Sequence, residues 1–476
     1  MHVSRFWRTL TLSSPRLWAG VRIAGIPSHK KSNLPRWSDG LEYCDSASRL
    51  QSALTRAGTV PLDVCIKFYH FNGTQEENVE DDRTRQALLK EGRKMGVDNW
   101  RSLEVFVLNV TSVDGLLHGR FASLEELSIF GFQSSVLHHL LVDAPLLRTI
   151  ALRHVCPQPW AVLPFWSRIR SFTFVRSTSF NNNEFDAFST ILETSQSLES
   201  LQIELRGNCP PQWAPLHSRM SIVFPHLRSL TYHGHWAIPI VAPNLTQLAI
   251  KDIRLPELLQ TNYLDGASFI EMPYLIQLSL TSTILSDLTI LRTLRLKDLT
   301  LRSMTKPNTD EGLTSVWTHE TREKPGNGSG LFPLLSILRL ENFTASFTVL
   351  RSALECLSPQ LRQLHFKNCS LPRTFFRVFC GGEPRRSSFS TSASSAQTSP
   401  SPPPLSPPRQ TRYLCPSLER MSIVVHESAR ADKDVIRPAL LDLVHIRKIA
   451  GLNLDSLMVD WDESGKREEL VHHELS

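Results

Sequence analysis

The sequence lacks the features that mark several large classes of protein. None of its 476 residues lies in an apolar run close to the ~18 residues that a membrane-spanning helix needs. The formal charge is only +6, and no run of lysine and arginine is long enough to follow a nucleic-acid backbone. The eight cysteines include no CxxC pair, the spacing typical of a zinc site. We therefore predict no membrane span, no nucleic-acid partner and no metal site, with reduced thiols in an intracellular protein.

Catalytic signatures are also missing. Neither the phosphate-binding motif G-x-x-x-x-G-K-[ST] nor the zinc motif H-E-x-x-H occurs. The glycine-rich stretch 326–330 lacks the strand–turn–helix context that a phosphate loop or a nucleophile elbow requires. His233 and His235 stand two residues apart, but no third metal ligand is placed by spacing. We therefore expect a non-catalytic protein that uses no cofactor.

What the sequence has instead is one apolar pattern, L-x-x-L-x-L, in thirteen copies. The second and third apolar residues of a copy alternate, so both point to one face of a short strand. One such strand cannot bury its apolar face alone, whereas stacked copies form a parallel sheet with a continuous core. The copies begin at Leu103, Leu124, Leu147, Ile169, Leu198, Leu227, Leu245, Leu275, Leu291, Leu335, Leu361, Leu418 and Leu454.

Several segments between the copies have the apolar spacing of helices. The helical segments are marked by Phe185, Phe188, Ile191 and Leu192, by Phe347, Leu350, Leu354 and Leu357, and by the stretch 435–449. A further strand is predicted at 61–68, where apolar residues alternate. The fold class that follows is α/β: an irregular solenoid, in which an open arc of parallel strands is joined by return helices and loops.

The repeated pattern resembles leucine-rich repeats. The copy "LRQLHFKNCSL" at Leu361 matches the full form of that repeat, with Cys369 in the Asn/Cys position. In other copies this position is apolar, and the spacing between copies varies from 16 residues to more than 50. We therefore expect an uneven arc rather than a regular horseshoe.

Two insertions interrupt the pattern. The segment 305–330 is polar and ends rich in glycine, which predicts a loop. The segment 383–411 consists largely of serine and proline and is predicted to be disordered. Ser399, Ser401 and Ser406 each precede a proline there, so they are candidate phosphorylation sites; the alternative is a plain linker.

The first residues carry a second resemblance. The segment "VSRFWRTLTLSSPRLWAGV" follows the order of a V-C-x-x-W-R helix, a short turn and a P-x-L-W tail, with Ser4 in place of the usual cysteine. In this order the chain resembles fungal F-box proteins, particularly the large leucine-rich families of mushroom-forming fungi. The matching residues are Val3, Trp7, Arg8, Pro15, Leu17 and Trp18.

The resemblance implies a substrate receptor of a Skp–cullin–F-box ubiquitin ligase, located in the cytoplasm, the nucleus or both. The Skp adaptor and a cullin would be its partners, together with an unknown target protein, and the chemistry would belong to the partner enzymes. The resemblance implies adaptor contacts at Val3, Phe6, Trp7, Leu10, Leu17 and Trp18.

The N-terminal segment has other interpretations. An F-box begins with L-P-x-E-[LI] and two helices that this sequence does not contain, so either the start of the reading frame is misassigned or the F-box has been lost. We expect the first, because Phe6, Trp7 and Leu10 would otherwise have no core to pack into. Alternatively, Trp7 and Trp18 cap the first repeat. A further alternative is a mitochondrial transit peptide, since the segment is rich in arginine and has no acidic residue before Asp39.

Solenoids bind partners through the exposed face of the sheet, so function is expected at the third, fifth and seventh positions of each copy. In the early copies these positions are mixed, whereas later copies are basic. Such a face is suited to an acidic or phosphorylated segment; the alternative is an ordinary solvated surface. The candidate partner-binding residues are Lys251, Arg295, Lys297, Arg339, His365, Lys367 and Arg420.

We therefore predict a protein-interaction module in five segments. They are the C-terminal remnant of an F-box (1–24), a linker helix with a first strand (25–100), the repeat solenoid (101–382), the disordered insertion (383–411), and the last repeats with a C-terminal cap (412–476). The alternative function is a stand-alone repeat scaffold with no ubiquitin-ligase link.

Overall fold

The computed structural model describes a large part of the chain. The described residues are 13–25, 52, 55–68, 97–107, 120–131, 143–207, 221–253, 255–259, 270–281, 288, 291–303, 332–343, 354, 360–369, 371, 415–424, 433–449, 451–452, 454–460 and 467–469. The chain divides into two compact units. Unit 1 comprises residues 1–245 and 257–260, and unit 2 comprises residues 246–256 and 261–476.

Unit 1 is built on a parallel sheet. Its strands are β1 (Gly20–Gly25), β2 (Leu62–Phe68), β3 (Trp100–Val107), β4 (Glu126–Gly131), β5 (Thr149–Arg153), β6 (Ser171–Arg176), β7 (Ser200–Leu205), β8 (Ile222–Val223), β9 (Ser229–Gly234) and β10 (Ile240–Val241). From β1 to β7 and on to β9, each strand pairs in parallel with the next. The two-residue strands β8 and β10 pair separately.

Unit 2 repeats this plan. Its strands are β11 (Gln247–Lys251), β12 (Ile270–Glu271), β13 (Gln277–Thr281), β14 (Leu291–Arg292), β15 (Asp298–Arg302), β16 (Ile337–Glu341), β17 (Gln363–Lys367), β18 (Arg420–Val424), β19 (Ser456–Asp460) and β20 (Arg467–Glu469). Strands β11, β13 and β15 to β19 are parallel in that order, and β20 joins β19 antiparallel. The α/β class with long parallel sheets is confirmed, while the leucine-rich-repeat identity stays a prediction.

Four α-helices lie within the described ranges. They are α1 (Gln158–Ala161), α2 (Asn182–Thr194), α3 (Leu255–Leu258) and α4 (Lys433–Ile449). Helix α2 buries the predicted apolar face, and α4 covers the predicted segment 435–449, so both helices are confirmed. Of the predicted face at Phe347–Leu357, only Leu354 lies among the described residues, where it is buried and helical.

Each strand is set by the apolar pattern. In ten copies all three apolar residues are buried and the intervening strand residues are more exposed, as the two-residue alternation of a strand requires. In the copy at Leu454, that first leucine is only half-buried. Equivalent residues pair between neighbouring strands, as Leu299 does with Leu278 and Leu338. The pattern thus fixes the register from copy to copy.

Two predicted copies are out of register and are corrected here. Leu103 pairs with Leu127, so it is the second apolar residue of a copy that begins at the buried Trp100. Leu299 pairs with Leu278, so the copy predicted at Leu291 begins instead at Leu296. The windows that start at Leu291 and at Leu296 share Leu296, and the sequence pattern fits both. Burial distinguishes them, since Leu294 of the rejected window is 73% exposed.

A turn precedes most strands, and a backbone carbonyl of the preceding copy fixes where the next strand begins. The N–H of the first apolar residue donates to the carbonyl three residues earlier, as in Leu335 to Phe332 at 3.1 Å. The carbonyl of the second residue in a copy then accepts two N–H groups from the next copy. The Arg148 carbonyl, for example, accepts from Arg170 (2.8 Å) and Ser171 (3.1 Å). Each copy therefore positions the start of its successor.

A left-handed residue ends several strands. His154, Asp252, Asn342 and Asn368, each the eighth residue of its copy, have φ between 54° and 63°. Asparagine and aspartate tolerate this conformation better than most residues. The N–H of each donates to the carbonyl of the seventh residue of the following copy, as Asn368 does to Val424 at 2.8 Å. The turn thus aims the next residue, such as the half-buried Cys369, back under the sheet.

Candidate protein-binding face

The third, fifth and seventh residues of each copy form the exposed face of the sheet in both units. Because equivalent residues pair, they stand in three rows, with neighbouring strands about 4.8 Å apart. In unit 2, the middle row runs Ala249, Ser279, Thr300, Arg339, His365, Ser422 and Met458. The outer row at the strand ends runs Lys251, Thr281, Arg302, Glu341, Lys367, Val424 and Asp460.

Five of the seven predicted binding residues lie on this face. Lys251, Arg339, His365, Lys367 and Arg420 occupy strands β11, β16, β17 and β18 at the expected positions. Their binding of a partner stays a prediction.

Arg295 and Lys297 lie elsewhere, in the turn before β15. They were misplaced because the copy begins at Leu296, five residues after the predicted start. The Arg295 guanidinium lies over the ring of Tyr274, 5.4 Å from its centroid.

The corrected register adds charges that the pattern had missed. Asp298 and Arg302 are the face residues of β15. Asp298 forms an ion pair with Arg339 on the next strand, and the Arg302 guanidinium lies 3.6 Å from the Glu341 carboxylate. Two of the cations on this face are therefore already matched by carboxylates, and the face is less basic than the sequence indicated.

His365 sits between β16 and β18 and is neutral at physiological pH. Burial lowers the pKa of its ring, and the neighbouring Arg339 charge lowers it further, while Asp298 opposes them. Its Nε2 atom is buried and has no hydrogen-bond partner among the described residues. His365 therefore adds no positive charge to the face.

Three cations remain. Lys251, Lys367 and Arg420 form no ion pair with any residue that the structure describes. Lys367 and Arg420 are exposed and lie at opposite ends of neighbouring strands, since Arg420 is paired with Gln363. At about 3.3 Å per residue, the two positions stand about 13 Å apart along the strands. The net positive charge of the unit 2 face rests on these residues.

The face of unit 1 is different in kind. Its row at the strand starts is largely hydroxylic: Ser102, Glu126, Thr149, Ser171, Ser200 and Ser229. At the strand ends, the rings of Phe106 and Phe130 are 5.5 Å apart and half-buried. Further along that row, the Glu204 carboxylate lies 2.6 Å from the Arg206 guanidinium and 3.5 Å from the His233 ring. No cation from this face was predicted to bind a partner.

The predicted adaptor contacts are only partly described. Leu17 and Trp18 belong to a 3₁₀ turn, Pro15–Trp18, that leads directly into β1. Val3, Phe6, Trp7 and Leu10, like the candidate phosphorylation sites Ser399, Ser401 and Ser406, lie outside the described residues. Because β1 begins at Gly20 and pairs with β2, the segment assigned to an F-box remnant (1–24) includes the start of the sheet.

The thiols and acidic groups offer little chemistry. Burial raises the pKa of the Cys369 thiol to about 11 and of the Cys415 thiol to about 12, so both are protonated. Within the described ranges, no group of three or more His, Cys, Asp or Glu side chains is arranged to hold a metal ion. Among the described helices, none is long and apolar enough to cross a membrane.

Comparison with known proteins gives no further identification. The chain matches no protein-family model and no curated protein.

Proposed function

We propose that the chain is a protein-interaction module that holds a target protein on the exposed face of its parallel sheets. The observation that carries this proposal is the register: the repeat strands β3 to β7 and β15 to β19 present their third, fifth and seventh residues in line with those of their neighbours. Parallel sheets are usually covered on both faces. Here the face bears serine, threonine and charged side chains, which suit a polar protein surface.

We further propose that the target is held for a ubiquitin ligase of the Skp–cullin–F-box type. This step rests on the resemblance of the first residues to the end of an F-box. The turn Pro15–Trp18 supports it, because the P-x-L-W tail lies directly before β1, where a docked adaptor would sit next to the sheet. The chain itself would supply positioning, and the ligation chemistry would come from its partners, so we do not assign it an enzymatic activity.

A stand-alone scaffold is the second candidate. It is favoured by β1, which makes residues 20–25 part of the sheet rather than of a separate docking element. In that case Trp18 would belong to the turn that begins the sheet, and no adaptor would bind.

Co-purification of the chain with recombinant Skp adaptor tests the ligase proposal. We expect the two proteins to elute together, and the double variant Trp7→Ala/Trp18→Ala to abolish this. Trp317→Ala, in the insertion 305–330, is the matched control and should bind normally. Failure of the unaltered chain to bind the adaptor would remove the ligase proposal and leave the scaffold.

Crosslinking in host-cell lysate tests the face. The variant Lys251→Glu/Lys367→Glu/Arg420→Glu should lose a defined crosslinked partner that the unaltered chain captures. Arg168→Glu, an exposed arginine in the turn before β6, is the control. Equal capture by both variants would show that the partner does not use the unit 2 face.

A further inference from the structure

A groove runs along the edge of unit 2 where the strands begin. Its volume is about 670 Å³, and its walls are formed by the turns before β15, β16, β17, β18 and β19. These turns are separate from the exposed strand face discussed above. With about 4.8 Å between neighbouring strands, four steps give the groove a length of about 19 Å.

Four backbone carbonyls along this groove are already used. The carbonyls of Lys297, Ser336, Arg362 and Glu419 each accept two N–H groups from the following copy, at 2.7–3.3 Å. Recognition of a ligand therefore falls mainly to the side chains.

The side chains of the groove are mostly hydrogen-bond donors. Lys297 is exposed and forms no ion pair with a described residue. Arg362 is 64% exposed and lies 3.5 Å from Glu419. Among the described residues that line the groove, Glu419 is the only carboxylate, and this single contact cannot occupy all five guanidinium donors. Gln360 and Ser417 add an exposed amide and an exposed hydroxyl. Such a set favours a ligand that is anionic and rich in acceptors.

The groove also has an apolar part. Leu334 is 43% exposed, although it directly precedes the buried Leu335. Pro416 is exposed and Leu452 is half-buried beside it in the lining. Leu334 is partly exposed and lines the same groove as Pro416, so an apolar side chain of a ligand could be buried there.

Shape decides between classes of ligand. Sites for small molecules enclose most of the surface of their ligand. This groove is instead lined by exposed residues over about 19 Å, the length of about six residues of extended peptide. We propose that it binds a short acidic segment of a partner protein, with carboxylates on Lys297 and Arg362 and an apolar side chain against Leu334. This goes beyond the strand-face function and does not depend on it.

Fluorescence anisotropy with a labelled hexapeptide of sequence EELEEL tests the proposal on the full chain. We expect saturable binding that Lys297→Glu and Arg362→Glu each weaken by about ten-fold and Leu334→Ser by about three-fold. Lys251→Glu is the matched control: it makes the same charge change on the strand face and should alter the dissociation constant less than about two-fold. The peptide KKLKKL should not bind.

Three outcomes would overturn the proposal. They are no binding of EELEEL at about 1 mM, equal loss from Lys251→Glu and Lys297→Glu, and binding unchanged in Lys297→Glu. Thermal unfolding of each variant, whose substitutions lie at exposed positions, separates lost contacts from lost folding. Because the strand-face variant carries none of these changes, the two functions can fail independently.

Discussion

The two units use the same repeat and fill it differently. In unit 1 the core beneath α2 is aromatic: the Phe174 and Phe188 rings stack at 4.3 Å, and Phe180 lies 5.7 Å from Phe188. In unit 2 the positions equivalent to Phe174 are mostly aliphatic, as at Leu280, Leu301 and Leu340. The ion pairs differ in burial as well. Among the described residues, unit 1 has one buried pair, Arg176–Glu184, whereas the pairs of unit 2 are at least partly exposed.

This difference shows which part of the repeat is fixed. Register and turns are set by three apolar positions and by backbone hydrogen bonds. The size of each apolar residue can therefore vary with the helix or loop that packs against it. Large rings occur where α2 packs on the strands and offers them partners. On the face, the fold does not dictate the side chains, so the largely hydroxylic row of unit 1 and the charged rows of unit 2 can differ without a change of register.

The largest effect is expected in the aromatic core. Phe174→Ala removes a fully buried ring from a stacked cluster and should lower the free energy of unfolding by about 3–5 kcal/mol. Leu301→Ala, at the equivalent position of a repeat in unit 2, should cost about 2–4 kcal/mol. Urea denaturation measures both, with Val162→Ala, which is 83% exposed, as a control near zero. Equal losses in the two units would break the contrast between their cores.

The buried ion pair should come next. Both Glu184 oxygens accept from Arg176 at 2.9 Å, and Glu184 also completes the N-terminal cap of α2 with Asn181. Glu184→Ala leaves a buried guanidinium without its carboxylate and should cost about 3 kcal/mol. Glu193→Ala, exposed on the same helix, should be nearly neutral. A loss for Glu184→Ala as small as that of the control would mean that the pair does not stabilise unit 1.

The left-handed turn of unit 2 should show a moderate effect. Asn368 has φ of 54°, and its side-chain amide donates to the Asn342 oxygen at 3.3 Å. Asn368→Ala should cost about 1–2 kcal/mol, because an alanine is strained in this conformation. Asn368→Gly also loses the side-chain hydrogen bond but avoids the backbone strain, so it should cost less. If alanine and glycine cost the same, the lost side-chain hydrogen bond rather than backbone strain accounts for the effect.

A smaller effect is expected from the ion pairs on the face. A double-mutant cycle of Asp298→Ala and Arg339→Ala should give a coupling energy of about 0.5–1 kcal/mol that falls with added salt, since Arg339 is 36% exposed. The exposed pair Arg170–Glu199 of unit 1 should couple by less than about 0.5 kcal/mol. A stronger coupling in unit 1 would reverse the comparison.

The smallest effect concerns pH. Burial lowers the pKa of His365 below 6.5 in the folded chain, so the unfolded chain takes up the proton first. This contribution to stability is therefore complete above pH 6.5 and is lost as the pH falls towards the folded pKa. The difference in urea midpoint between about pH 7.5 and about pH 5.5 should shrink in His365→Gln. The exposed His226→Gln should leave it unchanged.

Much of the fold was predictable from the sequence, because apolar spacing determines strands directly. Eleven predicted copies have the register that the pattern gave, and α2 and α4 fall where helical spacing placed them. The two errors share one cause, which is overlapping windows of the same pattern: Leu291–Leu296 overlaps Leu296–Leu301, and Leu103–Leu108 overlaps Trp100–Val105. Spacing alone cannot choose between overlapping windows, whereas burial can.

The binding face was less predictable, because its charge depends on which residues pair. The sequence pattern assigns face residues within each copy separately. Because the copy at Leu296 was predicted to begin at Leu291, Asp298, which forms an ion pair with Arg339, was left out of the face. The groove at the strand starts could not have been found from the face positions at all. It is formed by residues that precede the strands, such as Leu334 and Ser417, and the spacing of the repeat says nothing about them.

The carbonyl that accepts two N–H groups from the next copy has a consequence for how such a gene can change. The start of a copy is positioned by the carbonyl of the second residue of the preceding copy. These hydrogen bonds do not restrict the number of residues between the two copies. That is how neighbouring copies here are separated by as few as 18 residues, from Leu227 to Leu245, and by as many as 57, from Leu361 to Leu418. Exons that add or remove a return segment would leave the sheet in register, while a single-residue deletion inside L-x-x-L-x-L would shift a strand and turn its leucines outward.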